Sequence, residues 1–175
     1  MPEEYLDVVD ENDKVIGRRT RRECLKLGLL HRAVSVFIFN SAGELYLQRR
    51  SDSAAWYPDT WTLSSTGHVS SGETYREAAV REVSEELGVN CNPKELFKFQ
   101  TPKLRFKETI EWEYITVFID SIGNQKIIHN DEVKDGKFVT IEDLVEMIKS
   151  HSQPLTQDAV MVFERYARLK NITGF

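Results

Sequence analysis

Two hydrophobic periodicities divide the chain. Alternation with a period of two, the mark of a half-buried strand, begins at residues 5–20. There Leu6, Val8 and Val9 lead into the polar turn Asp10-Glu11-Asn12-Asp13 and out through Val15-Ile16-Gly17, the pattern of a hairpin. Residues 33–40 are rich in Val, Ile and Phe, and Ser41-Ala42-Gly43 turns them into a second strand at 44–49. In that strand Leu45 and Leu47 face one way, Tyr46 and Gln48 the other. Residues 96–106 and 111–120 read as antiparallel strands. The second sets Trp112, Tyr114, Thr116 and Phe118 against Glu111, Glu113, Ile115 and Val117. A further strand is expected within 126–140, with Asp131-Glu132 in a loop before Val133. Helical periodicity takes over at 23–30, ending near Gly28, at 73–87, at 141–149 and at 155–169, the last two parted by His151-Ser152-Gln153-Pro154. This order predicts an α+β fold in which a mixed β-sheet is sandwiched between helices, α/β/α in layers. The chain reads as a single domain over 1–175, with an N-terminal hairpin extension at 1–30 and a C-terminal helix at 154–170.

The helix at 73–87 carries the candidate chemistry. Ser70 or Ser71 can cap its start, Glu73 can complete a capping box with Ser70, and Gly88 supplies a left-handed stop. At roughly 100° per residue, Glu82, Glu85 and Glu86 share one sector beside an apolar sector of Ala79, Val83 and Leu87. Carboxylates so spaced repel by a few tenths of a kcal/mol per pair unless a cation lies among them. Either Arg76 and Arg81 neutralise a solvated acidic face, or a hard divalent metal with a preference for oxygen ligands does so.

Composition narrows the field. A length of 175 residues is enough for one core, and the formal net charge of −5 disfavours a nucleic-acid polymer as partner, since tracking phosphates needs a basic face. Two cysteines, Cys24 and Cys91, fit a reduced compartment, and no leader or membrane-length apolar run is expected; the reading is soluble and cytoplasmic. The basic run Arg18-Arg19-Thr20-Arg21-Arg22 is either a charged edge or a guide for an anionic substrate. Glu111 and Glu113 are either a solvated edge or part of a metal site. Trp56, Tyr57 and Trp61 are either packed or placed to stack on a base.

The spacing from Gly67 through Glu73, Arg81-Glu82, Val83, Glu85-Glu86, Gly88 and Val89 matches the signature of the Nudix family at every fixed position, and the chain resembles that family over most of its length. Within it, Val8-Val9-Asp10-Glu11, the run from Leu30 to Ser35, Gln48-Arg49-Arg50-Ser51 with the stretch from Trp56 to Thr62, and Gly67-His68-Val69 resemble the isopentenyl-diphosphate isomerase-like branch. The family resemblance implies a Nudix fold and a divalent-metal-dependent hydrolase of a diphosphate linked to another moiety, such as a nucleoside diphosphate or derivative. It implies Mg²⁺ or Mn²⁺ held by Glu82, Glu85, Glu86 and the Gly67 carbonyl, with the three glutamates catalytic and with Glu73, Arg81 and Gly88 structural. Arg49 and Arg50 are the substrate-binding candidates; alternation aims them at opposite faces, and Arg50 is the favoured diphosphate clamp because guanidinium geometry suits phosphate. The branch resemblance implies a second site at His31, His68, Glu111 and Glu113, and isopentenyl-diphosphate isomerisation as the alternative function. Against the isomerase pattern, its cysteine is Thr66, a phosphate-gripping lysine is Ala54, a helix arginine is Glu82 and one metal-site histidine is Cys24. Threonine is too weak an acid to replace a thiol in proton transfer at carbon. A non-catalytic nucleotide-sensing module is a third reading. The N-terminal hairpin offers an edge through which a homodimer could pair, and the sequence does not fix the oligomeric state.

Overall fold

The strand pattern condenses onto a nine-stranded mixed sheet and a separate two-stranded hairpin in the computed structural model, which describes residues 3–173. In chain order the elements are β1 (Tyr5–Val9), β2 (Val15–Thr20), α1 (Arg21–Leu27), β3 (His31–Asn40), β4 (Leu45–Arg50), β5 (Trp61–Thr62), β6 (Ser65–His68) and α2 (Tyr75–Leu87). They continue as β7 (Lys94–Gln100), β8 (Leu104–Phe106), β9 (Thr109–Glu111), β10 (Glu113–Gly123), β11 (Val133–Val139), α3 (Ile141–Ser150) and α4 (Gln157–Leu169).

Side-chain alternation along β3 builds the layers. Val34, Val36 and Ile38 meet Ala79, Val83 and Leu87 of α2 on one face, while Ala33 and Phe37 meet Leu144 of α3 and Val162 and Phe163 of α4 on the other. The α+β sandwich expected from the sequence is the fold observed. Each fully buried Leu or Phe in these layers contributes about 1.5–3 kcal/mol. β3 pairs in parallel with β10 and antiparallel with β6, so three strands distant in sequence lie side by side.

Several boundaries differ from expectation: the helix expected at 23–30 is Arg21–Leu27, the strand expected at 111–120 starts at Glu113 with Glu111 ending β9, and three further differences bear on the site. The strand expected at 96–106 is two: β7 ends at Gln100 because Thr101 turns to exchange hydrogen bonds with Glu113, its N–H donating to the Glu113 carbonyl at 2.8 Å and its Oγ1 accepting from the Glu113 N–H at 2.9 Å. Pro102 then has no N–H with which to continue a ladder. The capping box of α2 is made by Thr74 and Glu77, not by Ser70 and Glu73. Gly72 takes a left-handed φ of +83°, which carries the chain through one more turn before the helix begins. Glu73 still accepts from the Ser70 N–H at 3.0 Å, but as a loop brace. Leu155 bridges to Trp61 instead of opening the last helix, which begins after the N-cap Thr156.

The N-terminal hairpin fastens the site. Asp7 accepts from Ser71 Oγ at 2.6 Å and from the Gly72 N–H at 3.2 Å, holding the loop that precedes α2. Asp13, in the hairpin turn, accepts from Arg32 Nε at 2.7 Å, Tyr75 Oη at 3.0 Å and Lys98 Nζ at 2.5 Å, joining β3, α2 and β7. β2 forms one end of the strand order, with Val15 and Ile16 exposed.

Burial raises the Asp13 carboxyl pKa, and the bonds from Lys98, Arg32 and Tyr75 outweigh it, so the net shift is downward. Its contribution is therefore present above the ordinary carboxyl pKa of about 4 and is lost as pH falls through the lower folded value. Asp13→Asn should cost about 2 kcal/mol at pH 7. In urea unfolding followed against pH, the difference from wild type should shrink below about pH 4; a pH-independent difference would assign the effect to packing.

Candidate active site

The strand β6 and helix α2 are joined by a turn that lays the helix acids over a glycine. A Cβ on Gly67 would overlap the Glu82 carboxylate, so this approach requires glycine. Glu86, only 4% exposed, accepts from Gln48 Nε2 at 3.1 Å and from the Thr66 N–H at 3.3 Å. Arg81 is the hub of the turn. It donates to both Glu73 oxygens at 2.9 Å, to Glu82 Oε1 at 2.7 Å, to Glu85 Oε2 at 3.3 Å and to the His68 carbonyl at 3.0 Å. Its guanidinium pKa is held well above its ordinary value, chiefly by the Glu73 bonds.

One cation does not neutralise this set. Burial pushes the Glu86 carboxyl up to about 8, aided by the negative charges of Glu82 and Glu132. Burial pushes Glu82 up to about 7 against the opposing pull of Arg81. A divalent cation fits here on two observations: the donors are all oxygens, and the cradle at Gly67 is one that any larger residue would fill. Glu82, Glu85 and Glu86 would hold it. Glu132, from the loop before β11, lines the same cavity and was not singled out by sequence. The acid pair Asp131-Glu132 between two strands was the available signal.

The second cluster assembles as the branch resemblance implied. The β3–β10 register sets Glu113 beside His31, and the β3–β6 register sets His68 beside Ala33. Ligand atoms of His31, His68, Glu111 and Glu113 all lie within 4.8 Å of one another. His31 Nδ1 donates to the Leu29 carbonyl at 2.8 Å, which fixes the tautomer and leaves Nε2 turned inward. The imidazole Nε2 atoms stand 3.4–3.7 Å from the Glu111 and Glu113 oxygens. Both Nε2 atoms and Glu111 Oε2 are buried without a hydrogen-bond partner among the described residues. Such a nitrogen and oxygen set suits a transition metal. Burial keeps His68 below its ordinary pKa, although Glu111 pulls the other way. Burial would raise Glu111, but the two imidazoles hold it low; Glu113 is driven well up by burial and by the Glu111 charge. Cys24 packs with Leu6 and Val8 outside the cluster, and burial pushes its thiol up to about 11.

Both clusters open on one cavity of about 550 Å³. Arg50 lines it, its Nε donating to the Trp56 carbonyl at 2.8 Å. Arg49 does not: it faces the other way, paired with Asp59 at 2.9 Å and packed over Trp61. Of the basic run, Arg21 reaches the cavity, paired with Glu4 at 3.2 Å, and Arg18 stacks on Tyr5 instead. Trp56 and Trp61 are buried, whereas Tyr57 is half-buried on the cavity wall.

This combination of sandwich, loop and acidic helix defines a class. A NUDIX domain model matches residues 29–159, and the chain belongs to the Nudix family, as an enzyme of that type. It is 36% identical over 148 residues to isopentenyl-diphosphate Delta-isomerase 2 of Photorhabdus laumondii subsp. laumondii, a match covering 85% of this chain and 84% of that protein. An uncharacterized Nudix hydrolase of Pseudomonas aeruginosa is 31% identical over 163 residues, 93% of each chain. Among solved structures, that of a Deinococcus radiodurans protein is similar with a TM-score of 0.72 and 29% identity, covering 93% of this chain and 98% of that one.

Gly67→Ala should displace Glu82 and lower Mn²⁺ affinity at the helix site at least about tenfold while leaving the fold intact, as read by electron paramagnetic resonance titration. Separately, protein purified after incubation with Zn²⁺ or Mn²⁺ should retain metal at the second cluster, and His68→Ala should remove it. Elemental analysis finding no metal in either protein would leave the four residues as a polar core.

Proposed function

We propose that this chain is a divalent-metal-dependent hydrolase, with Mg²⁺ or Mn²⁺ as cofactor, that cleaves a diphosphate linked to another moiety, a nucleoside diphosphate or derivative. The observation that carries the reading is the oxygen-only carboxylate centre on α2, with Glu82 packed over Gly67 and Glu86 buried against Gln48. When bound there, a divalent ion supplies charge neutralisation on the phosphoryl oxygens and lowers the pKa of water. The chain's own groups do the rest. Arg81 fixes the glutamates, Gln48 and the Thr66 N–H orient Glu86, and Arg50 grips the diphosphate. Glu85, whose side chain is 56% exposed, meets solvent at the rim and is placed to take a proton from the attacking water. The substrate is a small molecule, not a nucleic-acid polymer. Among the described residues no helix is long and apolar enough to cross a membrane, and we place the enzyme in the cytoplasm.

A second reading, isopentenyl-diphosphate isomerisation, draws support from the convergence of His31, His68, Glu111 and Glu113 and from the isomerase relative. Against it stands Thr66, whose hydroxyl would have to replace a thiol in proton transfer; replacing such a group costs about 10²–10⁴ in rate. A nucleotide-sensing module would bind without turnover.

With Mg²⁺ or Mn²⁺ the protein should release phosphate, pyrophosphate or a monophosphate from at least one member of a panel of nucleoside and sugar diphosphates, and Glu86→Gln should abolish the release. Silence across the panel together with dimethylallyl diphosphate formed from isopentenyl diphosphate, seen by NMR, would replace the hydrolase with the isomerase. Because Glu82 and Glu86 are driven up to about 7 and about 8 when no cation is bound, metal binding must displace protons. Mg²⁺ affinity measured by calorimetry should therefore rise between about pH 6 and pH 9, with protons released into the buffer.

A further inference from the structure

Asp158 stands in the first turn of α4, in the helix layer on the opposite face of the sheet from α2, and its side chain lines the same cavity. Capping does not account for it. Thr156 is the N-cap residue, and its Oγ1 donates to Thr62 Oγ1 at 3.0 Å. The Thr156 N–H donates to the Trp61 carbonyl at 2.9 Å, fastening the helix start to β5, and Asp158 shares the cavity lining with Arg50, Tyr57, Glu111 and Glu113. The α2 carboxylates, by contrast, interact with one another and with Glu132.

The cavity is thus polarised around Arg50. On one side lie the carboxylates of α2, and away from them lie Asp158, the second cluster with Glu111 and Glu113, and an aromatic wall. That wall is Tyr57, its ring centroid 4.9 Å from Phe106 and 5.8 Å from Trp56. Tyr57 is held at a φ of +45°, a left-handed conformation costly for a bulky residue and sustained by the loop around it. A further negative charge in a cavity built for an anionic diphosphate opposes the substrate's charge unless the substrate brings hydrogen-bond donors to it. A hydrocarbon placed against that carboxylate would strip it of water with no replacement. Hydroxyl or amino groups on a ring would satisfy it, with the ring face against Tyr57.

We propose that Asp158 is the specificity-determining residue of this cavity, accepting hydrogen bonds from hydroxyl or amino groups of the ring beyond the diphosphate, with Tyr57 beside that ring. It selects sugar or nucleoside diphosphates over alkenyl diphosphates. The inference rests on the diphosphate reading of the site but not on turnover.

The test is binding, by calorimetry in Ca²⁺, of ADP-ribose, UDP-glucose, inorganic pyrophosphate and isopentenyl diphosphate to wild type, Asp158→Leu and Asp158→Asn. Wild type should prefer at least one ring-bearing ligand over isopentenyl diphosphate. Asp158→Leu should weaken that ligand at least about tenfold, leave pyrophosphate within about twofold and tighten isopentenyl diphosphate. Asp158→Asn, which keeps an acceptor oxygen and the side-chain size, should show a smaller loss in the same direction and carries the test should the leucine variant not fold. Equal weakening of pyrophosphate, unchanged binding of the ring-bearing ligands, or no preference in wild type would overturn the proposal. Selectivity that shifts as expected in a protein that hydrolyses none of the panel would support the role of Asp158 and count against hydrolysis. Hydrolysis with unshifted selectivity would do the reverse.

Discussion

Buried negative charge is the constraint around which this protein is arranged. Glu82 and Glu86 are withdrawn from water on one helix face, with Glu132 brought to the same wall, and each would repel the others in a medium of low polarity. Arg81 is the internal answer. A single planar guanidinium reaches two acids on the helix, Glu73 in the preceding loop and the backbone of His68 in the strand. Strand, loop and helix are thereby tied together at one side chain. The repulsion that remains is what a bound cation would relieve. Complete neutralisation by protein groups would stabilise the fold and weaken the site.

The second cluster solves the same problem with different chemistry. Imidazoles replace the guanidinium, and three inward atoms are left without partners among the described residues. The two clusters share a cavity but not a sheet address: one rests on β6 and α2, the other on the register among β3, β6 and β10. Thr66 lies on β6 with its N–H donating to Glu86, one residue from Gly67 and two from His68.

What could be read from the sequence was what is local. The glutamates at Glu82, Glu85 and Glu86, the stop at Gly88 and the alternation of β3 and β4 follow from spacing along a few turns or pleats, and the structure places them accordingly. Arg50 and Arg49 separate to opposite faces because a strand leaves them no other choice. The capping box was misplaced because Ser70-Glu73 and Thr74-Glu77 carry the same spacing, and only the left-handed Gly72 decides between them. Glu132 and Asp158 escaped attention for a different reason, and Arg21 could be read only as one of a basic run. Each comes from a loop or helix end whose meeting with the others depends on tertiary placement, and no periodicity records that. The convergence of His31 and His68 with Glu111 and Glu113 was available only through family resemblance, since nothing along the chain announces a parallel pairing of β10 with β3.

That parallel pairing also sets an order in time. β3 is made early in the chain and β10 late, so closing their ladder encloses most of the sheet, α2 included, within one loop. Contacts of such sequence separation form slowly and near the end of folding, when the chain has already lost most of its freedom. His31 and Glu113 come from the two strands of that ladder, so a cation at the second cluster would need the ladder closed before all of its ligands stood together.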